Sequence, residues 1–464
     1  KRMMENRKIK SSFRDPSGFL FVNEGNLYRQ INKSYQNEFD KIIDSGLYDE
    51  LVEKELLIPH EESNVESSQP EKCYKIIKPK LIDFISYPYE WSFSQLKDAA
   101  LITLEIQKIA LKYGLTLKDC SAYNVQFFNG KPIFIDTLSF EIYQEGQFWK
   151  GYRQFCQHFL SPLALMSHRD IRLNQLLKIY IDGIPLDLTA ELLPMRTKSM
   201  FSLFAHIHTH SKKQKEYEGK QIDVKKKKLS KNSFVGVIES LHSAIKKQNI
   251  SLEKTEWGNY YSDTNYSEVA MNDKKTIILN LIEKIKPKNV WDIGGNVGTF
   301  SRISSDKKIS TVCFDIDPVA IEKNYLECKE KNEKYLLPLL MDLANPSPNI
   351  GWQNMERDSF LTRGPVDLVF ALALIHHLAI SNNIPFELIS EFFSKNCRNL
   401  IIEFVPKIDS QVKRLLSTRE DIFLEYDYEH FEKEFEKFFT IVEKKEIKDS
   451  ERIIYYMNNK KSID

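Results

Sequence analysis

The feature that most constrains the fold of this chain is a cluster of glycines in a sequence that otherwise contains few. Only 16 of 464 residues are glycine, about half of the usual share of ~7%. Gly294, Gly295 and Gly298 directly follow the apolar run Val290–Ile293, and a helical pattern begins at Thr299. A glycine turn between a buried strand and a helix allows positive φ and a close approach of backbone to ligand. The pattern predicts an α/β domain with a ligand crevice at this turn.

Further apolar runs follow at the spacing of alternating strands and helices. They predict strands at 311–314, 335–341, 366–374 and 399–404, a helix at 318–329, and a terminal hairpin that pairs 438–447 with 451–457. The run 366–374 is the most apolar and is predicted to be central in the sheet. Asp315 and Asp342 end the second and third strands. An acidic residue about 20 positions after the first strand is the group that hydrogen-bonds ribose hydroxyls.

The order of these landmarks over residues 255–460 resembles the class I S-adenosylmethionine-dependent methyltransferases. The resemblance implies a Rossmann-like seven-stranded sheet with S-adenosylmethionine as the cofactor. It also implies the following cofactor contacts: the methionine end on Asp292, Gly294, Gly295, Asn296 and Gly298, the ribose on Asp315, and the adenine on Asp342 and Leu343.

One position departs from that family, which often has glycine where this chain has Asn296. Asparagine accepts left-handed backbone geometry better than most residues, so the loop is expected to keep its shape. An NAD-binding Rossmann domain is the alternative. Its G-x-G-x-x-G pattern, starting at Gly294, would need glycine at Asn296 and Thr299, and both are missing.

Candidate catalytic groups follow the fourth and fifth predicted strands. His376 and His377 lie where the sheet edge would face the crevice, and a histidine there can take a proton from an acceptor at neutral pH. Helix capping or a core position is the alternative for these histidines. Glu403 is a second candidate base. Tyr261, in the aromatic segment 257–266, is predicted to lie in a lid over the cofactor, with surface packing as its alternative.

A second constellation lies in the N-terminal part of the chain. Asp119 and Asn124 are five residues apart, and Asp136 follows the hairpin that turns at Asn129-Gly130. This order resembles the C-terminal lobe of kinase-like and aminoglycoside-phosphotransferase-like domains. The resemblance implies that Asp119 aligns the acceptor, that Asn124 and Asp136 hold magnesium, and that ATP is a second cofactor if this site is active.

This N-terminal pattern departs from the kinase-like family in several ways. Lys118 stands directly before Asp119, Thr137-Leu138 replaces Phe-Gly, and no glycine-rich phosphate loop is present. Arg29 is the nearest candidate for the phosphate-binding lysine. We therefore expect nucleotide binding without efficient transfer, and ordinary turn and cap chemistry is the alternative. The same reading predicts a hairpin of 18–22 with 26–31 and a long helix at 93–113.

These patterns predict an α/β protein in three parts. Residues 1–200 form an α+β kinase-like domain, with an active site or a pseudokinase as the two alternatives, residues 201–250 a basic connector, and residues 251–464 the methyltransferase domain. The connector contains three alternate histidines, at 206, 208 and 210, and four lysines at 225–228. The whole chain is also similar to bacterial nodulation-type methyltransferases, notably at Ser92–Ala99 and Tyr152–His158.

Composition limits the setting and the partners. The chain has 66 basic and 65 acidic residues, a net charge of +1, so no overall field favours nucleic acid. Six scattered cysteines suit a reducing compartment. No apolar run approaches the ~20 residues of a membrane helix, and a cytoplasmic location without a membrane span is expected.

The leading hypothesis from sequence is methyl transfer to an oxygen or nitrogen of a polar small molecule or glycan. Joined kinase-like and methyltransferase units suggest the glycan, with the kinase-like domain binding this acceptor. One alternative is a bifunctional enzyme that phosphorylates and then methylates. Another is a binding scaffold without catalysis, which the intact Asp292, Gly294, Gly298 and Asp315 disfavour.

Overall fold

The computed structural model describes residues 7–209, 230–252, 266–417 and 419–461. The chain divides into two compact units. Unit 1 comprises Lys1–Ser251 together with Asn349–Arg357, and unit 2 comprises Leu252–Pro348 and Asp358–Asp464. Both units combine helices with sheets, so the α/β class predicted from the sequence is confirmed.

Within the described residues of unit 1, five strands form one antiparallel sheet in the order β1-β2-β3-β5-β4. These strands are β1 (Arg7–Lys8), β2 (Gly18–Asn23), β3 (Asn26–Asn32), β4 (His60–Ser63) and β5 (Cys73–Pro79). Two smaller pairs join β6 (Leu115–Leu117) to β9 (Phe140–Ile142) and β7 (Val125–Phe128) to β8 (Lys131–Phe134). The two predicted hairpins are confirmed. Positive φ at Asn129 and Gly130, +51° and +76°, makes the second turn.

The long helix α3 of unit 1 is also confirmed, and it spans Phe93–Lys112. Ser92 starts it: its hydroxyl accepts from the amide of Gln95, and the Gln95 side chain accepts from the amide of Ser92. The other α-helices of unit 1 are α1 (Gln36–Asp44), α2 (Leu47–Glu53), α4 (Tyr152–Phe155), α5 (Ser161–His168), α6 (Leu176–Ile179), α7 (Leu186–Leu192), α8 (Phe201–Leu203) and α9 (Lys231–Lys247).

The structure differs from the predicted connector at 201–250. Its described residues form α8, the π-helical turn Phe204–His208 and α9, all within unit 1. Helix α9 buries Phe234, Ile238 and Leu241 on one face. Composition hid this stripe, because the lysines around it dominate the segment. His210 and the lysines at 225–228 lie outside the described residues.

In the described part of unit 2, seven strands form one sheet in the order β12-β11-β10-β13-β14-β16-β15. The first five are parallel, and β16 pairs antiparallel with both neighbours. The strands are β10 (Asn289–Ile293), β11 (Ser310–Asp315), β12 (Leu336–Leu340), β13 (Val366–Ala371), β14 (Cys397–Phe404), β15 (Phe439–Glu446) and β16 (Ile453–Asn459). Each lies where the sequence predicted a strand, although β13 ends three residues early, before Ala373 at φ +51°.

Helices cover this sheet because their apolar faces complete its core. Helix α10 packs Ile278, Leu281 and Ile282 on strand residues such as Leu368 and Phe370. The α-helices of unit 2 are α10 (Glu268–Ile285), α11 (Ser301–Ser305), α12 (Pro318–Lys331), α13 (Phe386–Asn396), α14 (Ser410–Leu416) and α15 (Tyr428–Phe435). No helix in the described part of the chain is long and apolar enough to cross a membrane.

Candidate active site

A cavity of about 330 Å³ opens at the carboxyl ends of the parallel strands of unit 2. Its volume lies within the ~300–1,000 Å³ typical of small-molecule sites. Eight residues that the sequence singled out line it: Asp292, Gly294, Gly295, Asn296, Asp315, Asp342, Leu343 and His377. The structure therefore brings together most of the cofactor contacts that the resemblance implied, because successive parallel strands end at one edge.

The glycine loop lies against the ends of β10 and β11. The amides of Gly294 and Gly295 both donate to the carbonyl of Phe314, at 2.8 and 3.1 Å. Gly294 has φ +78°, and a Cβ on Gly295 would lie only 2.7 Å from the Asp292 carboxylate. Asn296 has φ +50°, so asparagine does adopt the left-handed geometry expected of it.

Gly298 has a different role from the one predicted. It is missing from the described residues that line the cavity. Its φ is +80°, and a Cβ there would lie 2.6 Å from the side-chain nitrogen of Asn324. Gly298 is therefore required for the turn and for packing against α12.

Asp315 presents a buried carboxylate to the cavity. One oxygen accepts from the amide of Asn296 and the other from the amide of Asp317, both at 2.9 Å. Burial raises the pKa of Asp315 to about 6. Because each carboxylate oxygen has two acceptor positions, both keep capacity for a ligand hydroxyl.

Two further carboxylates lie on the same wall. Asp292 is 1% exposed and accepts from the Ser301 hydroxyl at 2.6 Å, and burial raises its pKa to about 6. Asp342 accepts from the amide of Ala344 at 2.9 Å, which fixes its carboxylate at the end of β12. The cavity thus carries three acidic groups from three neighbouring strands.

The raised pKa of Asp315 predicts a pH-dependent cost to the ligand-free fold. An ordinary aspartate titrates near 3.9, so between about pH 4 and 6 the folded state holds a proton that the unfolded state has released. The cost of ionising this buried group is therefore absent below pH 4 and fully present above pH 6. We expect Asp315→Asn to gain stability relative to the unsubstituted protein as the pH rises from about 4 to 6, measured by urea unfolding at several pH values.

Asparagine has fewer acceptor positions than aspartate, so Asp315→Asn also changes the free energy of unfolding by an amount that does not vary with pH. The exposed Asp306 provides the control, since Asp306→Asn makes the same chemical change at a carboxylate that is not buried. A difference that instead shrinks with rising pH would contradict the raised pKa of Asp315.

The two candidate histidines have different surroundings. His377 lines the cavity, and burial lowers its pKa, so its imidazole is neutral at neutral pH. His376 is fully buried and, among the described residues, is not part of the lining; its pKa is lowered well below the usual value, first by burial. Its two ring nitrogens have no hydrogen-bond partner in the structure. Of this pair, only His377 is positioned to meet a ligand, and His376 is corrected to a core residue.

Glu403 is also corrected, because it is fully buried and engaged. Its carboxylate accepts from Lys274 Nζ at 2.6 Å and from the Tyr266 hydroxyl, and Arg452 lies 3.4 Å away. Burial acts to raise the pKa of Glu403, but Lys274 and Arg452 hold it below its ordinary value. A permanently ionised, paired carboxylate is a poor general base. Arg452 is held in turn by Asp409 at 2.7 Å.

Two residues bring this network to the cavity: Tyr266, the last residue of the predicted lid segment 257–266, and Lys274, which sequence reasoning missed. Tyr266 and Lys274 both line the wall, and Lys274 Nζ lies 3.2 Å from the Tyr266 hydroxyl. Lys274 had a usable signal: it lies on the apolar face of α10, between the buried Ala270 and Ile278. A lysine in such a stripe is unusual unless it is paired. Tyr261, predicted to cover the cofactor, lies outside the described residues.

Comparison with known proteins identifies the family. The chain is 33% identical over 456 residues to the nodulation protein NoeA of Rhizobium meliloti (strain 1021), which covers 97% of this chain and 95% of NoeA. The chain belongs to the NoeA family. The similarity to nodulation proteins predicted from the sequence is thereby confirmed. No protein-family model matches the chain.

The solved structures are less similar to this chain than NoeA is in sequence. WbdD is 16% identical, covering 45% of this chain and 43% of its own, with a TM-score of 0.31. ChlM from Synechocystis PCC 6803, a magnesium protoporphyrin IX methyltransferase with bound SAH, is 18% identical. The match covers 44% of this chain and 92% of ChlM, with a TM-score of 0.31. The N-methyltransferase NodS from Bradyrhizobium japonicum WM9 is 14% identical. The match covers 42% of this chain and 98% of NodS, with a TM-score of 0.31. The chain spans less than half of the WbdD chain, and TM-scores this low define neither fold nor function.

The second predicted site of this NoeA-family chain lies in unit 1. Asp119 and Asn124 are hydrogen-bonded to each other, and burial and the nearby Asp136 raise the pKa of Asp119. Asn124 Nδ2 donates to the Ser139 hydroxyl at 3.1 Å, and that hydroxyl donates to Asp136 at 2.6 Å. The three predicted residues therefore do meet. Among the described residues, however, no three His, Cys, Asp or Glu side chains gather as a metal-ligand group.

Proposed function

We propose that unit 2 binds S-adenosylmethionine and transfers its methyl group to an oxygen or nitrogen of a polar acceptor. The observation that carries this proposal is the cavity, which joins the glycine loop after β10 to Asp315 at the end of β11 and Asp342 after β12. The seven-stranded sheet with its closing antiparallel hairpin supports the same assignment.

The residues present fit this cofactor. Gly294 and Gly295 would leave room for the methionine end beside Asp292, Asp315 would accept the ribose hydroxyls, and Asp342 and Leu343 would hold the adenine. When bound, S-adenosylmethionine supplies a methyl group on a positively charged sulfonium.

Charge distinguishes this cofactor from a dinucleotide. Three carboxylates, Asp292, Asp315 and Asp342, face the cavity, while the lining Lys274 is paired with Glu403. Such a wall stabilises a ligand with a sulfonium and an ammonium group, and it repels a pyrophosphate. The loop also lacks the glycines at positions 296 and 299 that a dinucleotide fingerprint needs.

His377 supplies the remaining chemistry at the cavity wall. Its neutral imidazole can accept a proton from a hydroxyl or amine as the methyl group moves to that acceptor. Tyr266 keeps its proton, because burial raises its pKa well above the usual value, so its hydroxyl acts as a donor or an orienting group. The acceptor that we propose first is a glycan, and we propose that unit 1 binds it.

The direct test is calorimetric titration of the full chain with S-adenosylmethionine. We expect binding at micromolar strength, and at a hundred-fold excess over Kd the ligand should add ~2.7 kcal/mol of stability and raise Tm. Asp315→Ala should weaken binding by ~1–3 kcal/mol, because it removes hydrogen bonds from a charged acceptor.

The exposed Asp306 again offers a matched carboxylate, and Asp306→Ala should bind as the unsubstituted protein does. Folded protein that shows no heat and no Tm change with S-adenosylmethionine would overturn the proposed function. Equal weakening by both substitutions would point to a general charge effect and would remove Asp315 from the site.

A further inference from the structure

The guanidinium of Arg29 lies between two carboxylates in unit 1. Its Nη1 is 2.6 Å from Asp136 Oδ1, and its Nη2 is 2.9 Å from Asp15 Oδ2. The Arg29 side chain is only 13% exposed, so water screens these pairs less than it would at the surface. Arg29 comes from β3, Asp15 from the turn before β2, and Asp136 from the end of the β7–β8 hairpin.

Three donors within unit 1 already occupy the carboxylate of Asp136. Its Oδ1, besides Arg29, accepts from the amide of Leu138 at 3.0 Å. Its Oδ2 accepts from the Ser139 hydroxyl at 2.6 Å, and Asn124 donates to that same hydroxyl. A magnesium ion demands near-octahedral oxygen ligands at short range. A magnesium ion at Asp136 would have to compete with these donors and lie close to an arginine that is always charged.

Asp15 occupies the other side of the arginine. Its Oδ1 accepts from the amide of Ser17 at 2.9 Å, and the Ser17 hydroxyl accepts from Lys118 Nζ at 2.8 Å. Gly18 packs so closely that a Cβ there would lie 2.8 Å from Leu138 Cδ1. Leu138 belongs to the pair Thr137-Leu138, which stands where kinases have Phe-Gly. The turn at Asp15–Gly18 is thus fastened to both Arg29 and the Asp136 region.

We infer that Arg29 is a built-in cation that fills the place of the metal, and that Asp15 fills the place of an anionic ligand on Arg29. Unit 1 therefore does not take a magnesium–nucleotide complex. Within this unit the one guanidinium of Arg29 pairs with both Asp15 and Asp136. This departs from the sequence-based expectation of nucleotide binding, because that expectation used the spacing of Asp119, Asn124 and Asp136 without knowing the partner of Arg29.

The first test titrates the full chain with MgCl2, with ATP, and with both, by calorimetry and by thermal shift. We expect no binding heat and no change in Tm under any of the three conditions, with Asp136→Ala giving the same result. A magnesium-dependent ATP signal in the unsubstituted protein that disappears in Asp136→Ala would overturn the inference. This outcome is independent of S-adenosylmethionine binding, so it does not bear on the proposed function of unit 2.

The second test removes the built-in cation. Arg29→Gln leaves Asp15 and Asp136 facing each other without a counter-charge, so Tm should fall. Millimolar MgCl2 or CaCl2 should then raise Tm by roughly 2–4 °C, whereas the unsubstituted protein should not respond. Arg172→Gln is the matched control, because Arg172 pairs with Asp170 on the surface and its loss should create no response to the ions. If the folded Arg29→Gln protein shows no change in Tm with either ion, the inference that Arg29 fills the place of the metal is wrong. If that variant does not fold, the first test still decides.

Discussion

Glu403→Gln is expected to lower the free energy of unfolding by about 3–5 kcal/mol, the cost of breaking a buried ion pair from one side. Lys274 and Arg452, 2% and 1% exposed, would lose the carboxylate that compensates both of them. Burial lowers the pKa of Lys274, and with Glu403 gone only the smaller effect of Asp292 would oppose that shift. Urea unfolding at neutral pH, followed by circular dichroism, measures this loss.

Two controls separate this buried network from ordinary charge loss. Lys307→Ala removes the surface pair with Glu283 and should cost only about 0–1 kcal/mol. The combined variant Lys274→Met with Glu403→Leu should cost clearly less than the sum of its single substitutions, since two opposite buried charges leave together and Arg452 keeps Asp409. A Glu403→Gln cost below about 1 kcal/mol, or strict additivity in the combined variant, would contradict an energetically coupled network.

The strands and the glycine loop could be predicted because their signals are local. A buried parallel strand appears as a short apolar run, and Gly294 and Gly295 mark a turn that side chains would obstruct. The same reasoning predicted that Asp315 and Asp342 lie at one edge of the sheet, where both line the cavity, since parallel strands end at a common edge. Boundaries were less certain: the apolar run that predicts β13 continues past Ala371, where the backbone already turns away.

The charge network could not be predicted, because its contacts join distant parts of the sequence. Tyr266 meets Arg452 and Lys274 meets Glu403 only after α10 packs on the sheet and the terminal hairpin closes it. Adjacent residues posed a related problem. His376 and His377 have the same chemistry, and only the π-helical turn His377–Ser381 after β13 determines which of them lines the cavity.

Unit 1 shows the same division between local spacing and tertiary partners. The spacing of Asp119, Asn124 and Asp136 predicted that they meet, and they do. Nothing in the sequence around Arg29 indicated that it would pair with both Asp15 and Asp136. A motif can therefore keep its geometry while a residue from another strand changes what the motif can bind.

His377→Gln is expected to lower the rate of methyl transfer by ~10²–10⁴-fold, the usual contribution of a positioned general base. Since burial lowers the pKa of His377, the neutral form prevails at neutral pH and is ready to accept the proton that the acceptor loses. Affinity for S-adenosylmethionine should be unchanged within about twofold, because the proposed cofactor contacts lie on the glycine loop and the aspartates. The measurement is incorporation of label from methyl-tritiated S-adenosylmethionine into a bacterial oligosaccharide and polar-metabolite extract, with cofactor affinity from calorimetry.

Two neighbours of this histidine provide the comparison. Ser381→Ala alters another lining residue that offers no base, and it should retain most of the rate. His376→Gln should lower the free energy of unfolding and leave the rate of methyl transfer largely unchanged, since the His376 ring is fully buried outside the lining. The sign of the pH dependence gives a further criterion: at saturating S-adenosylmethionine, the rate should fall as the pH drops through the lowered pKa of His377, below 6.5. Full activity in His377→Gln would exclude His377 as the base.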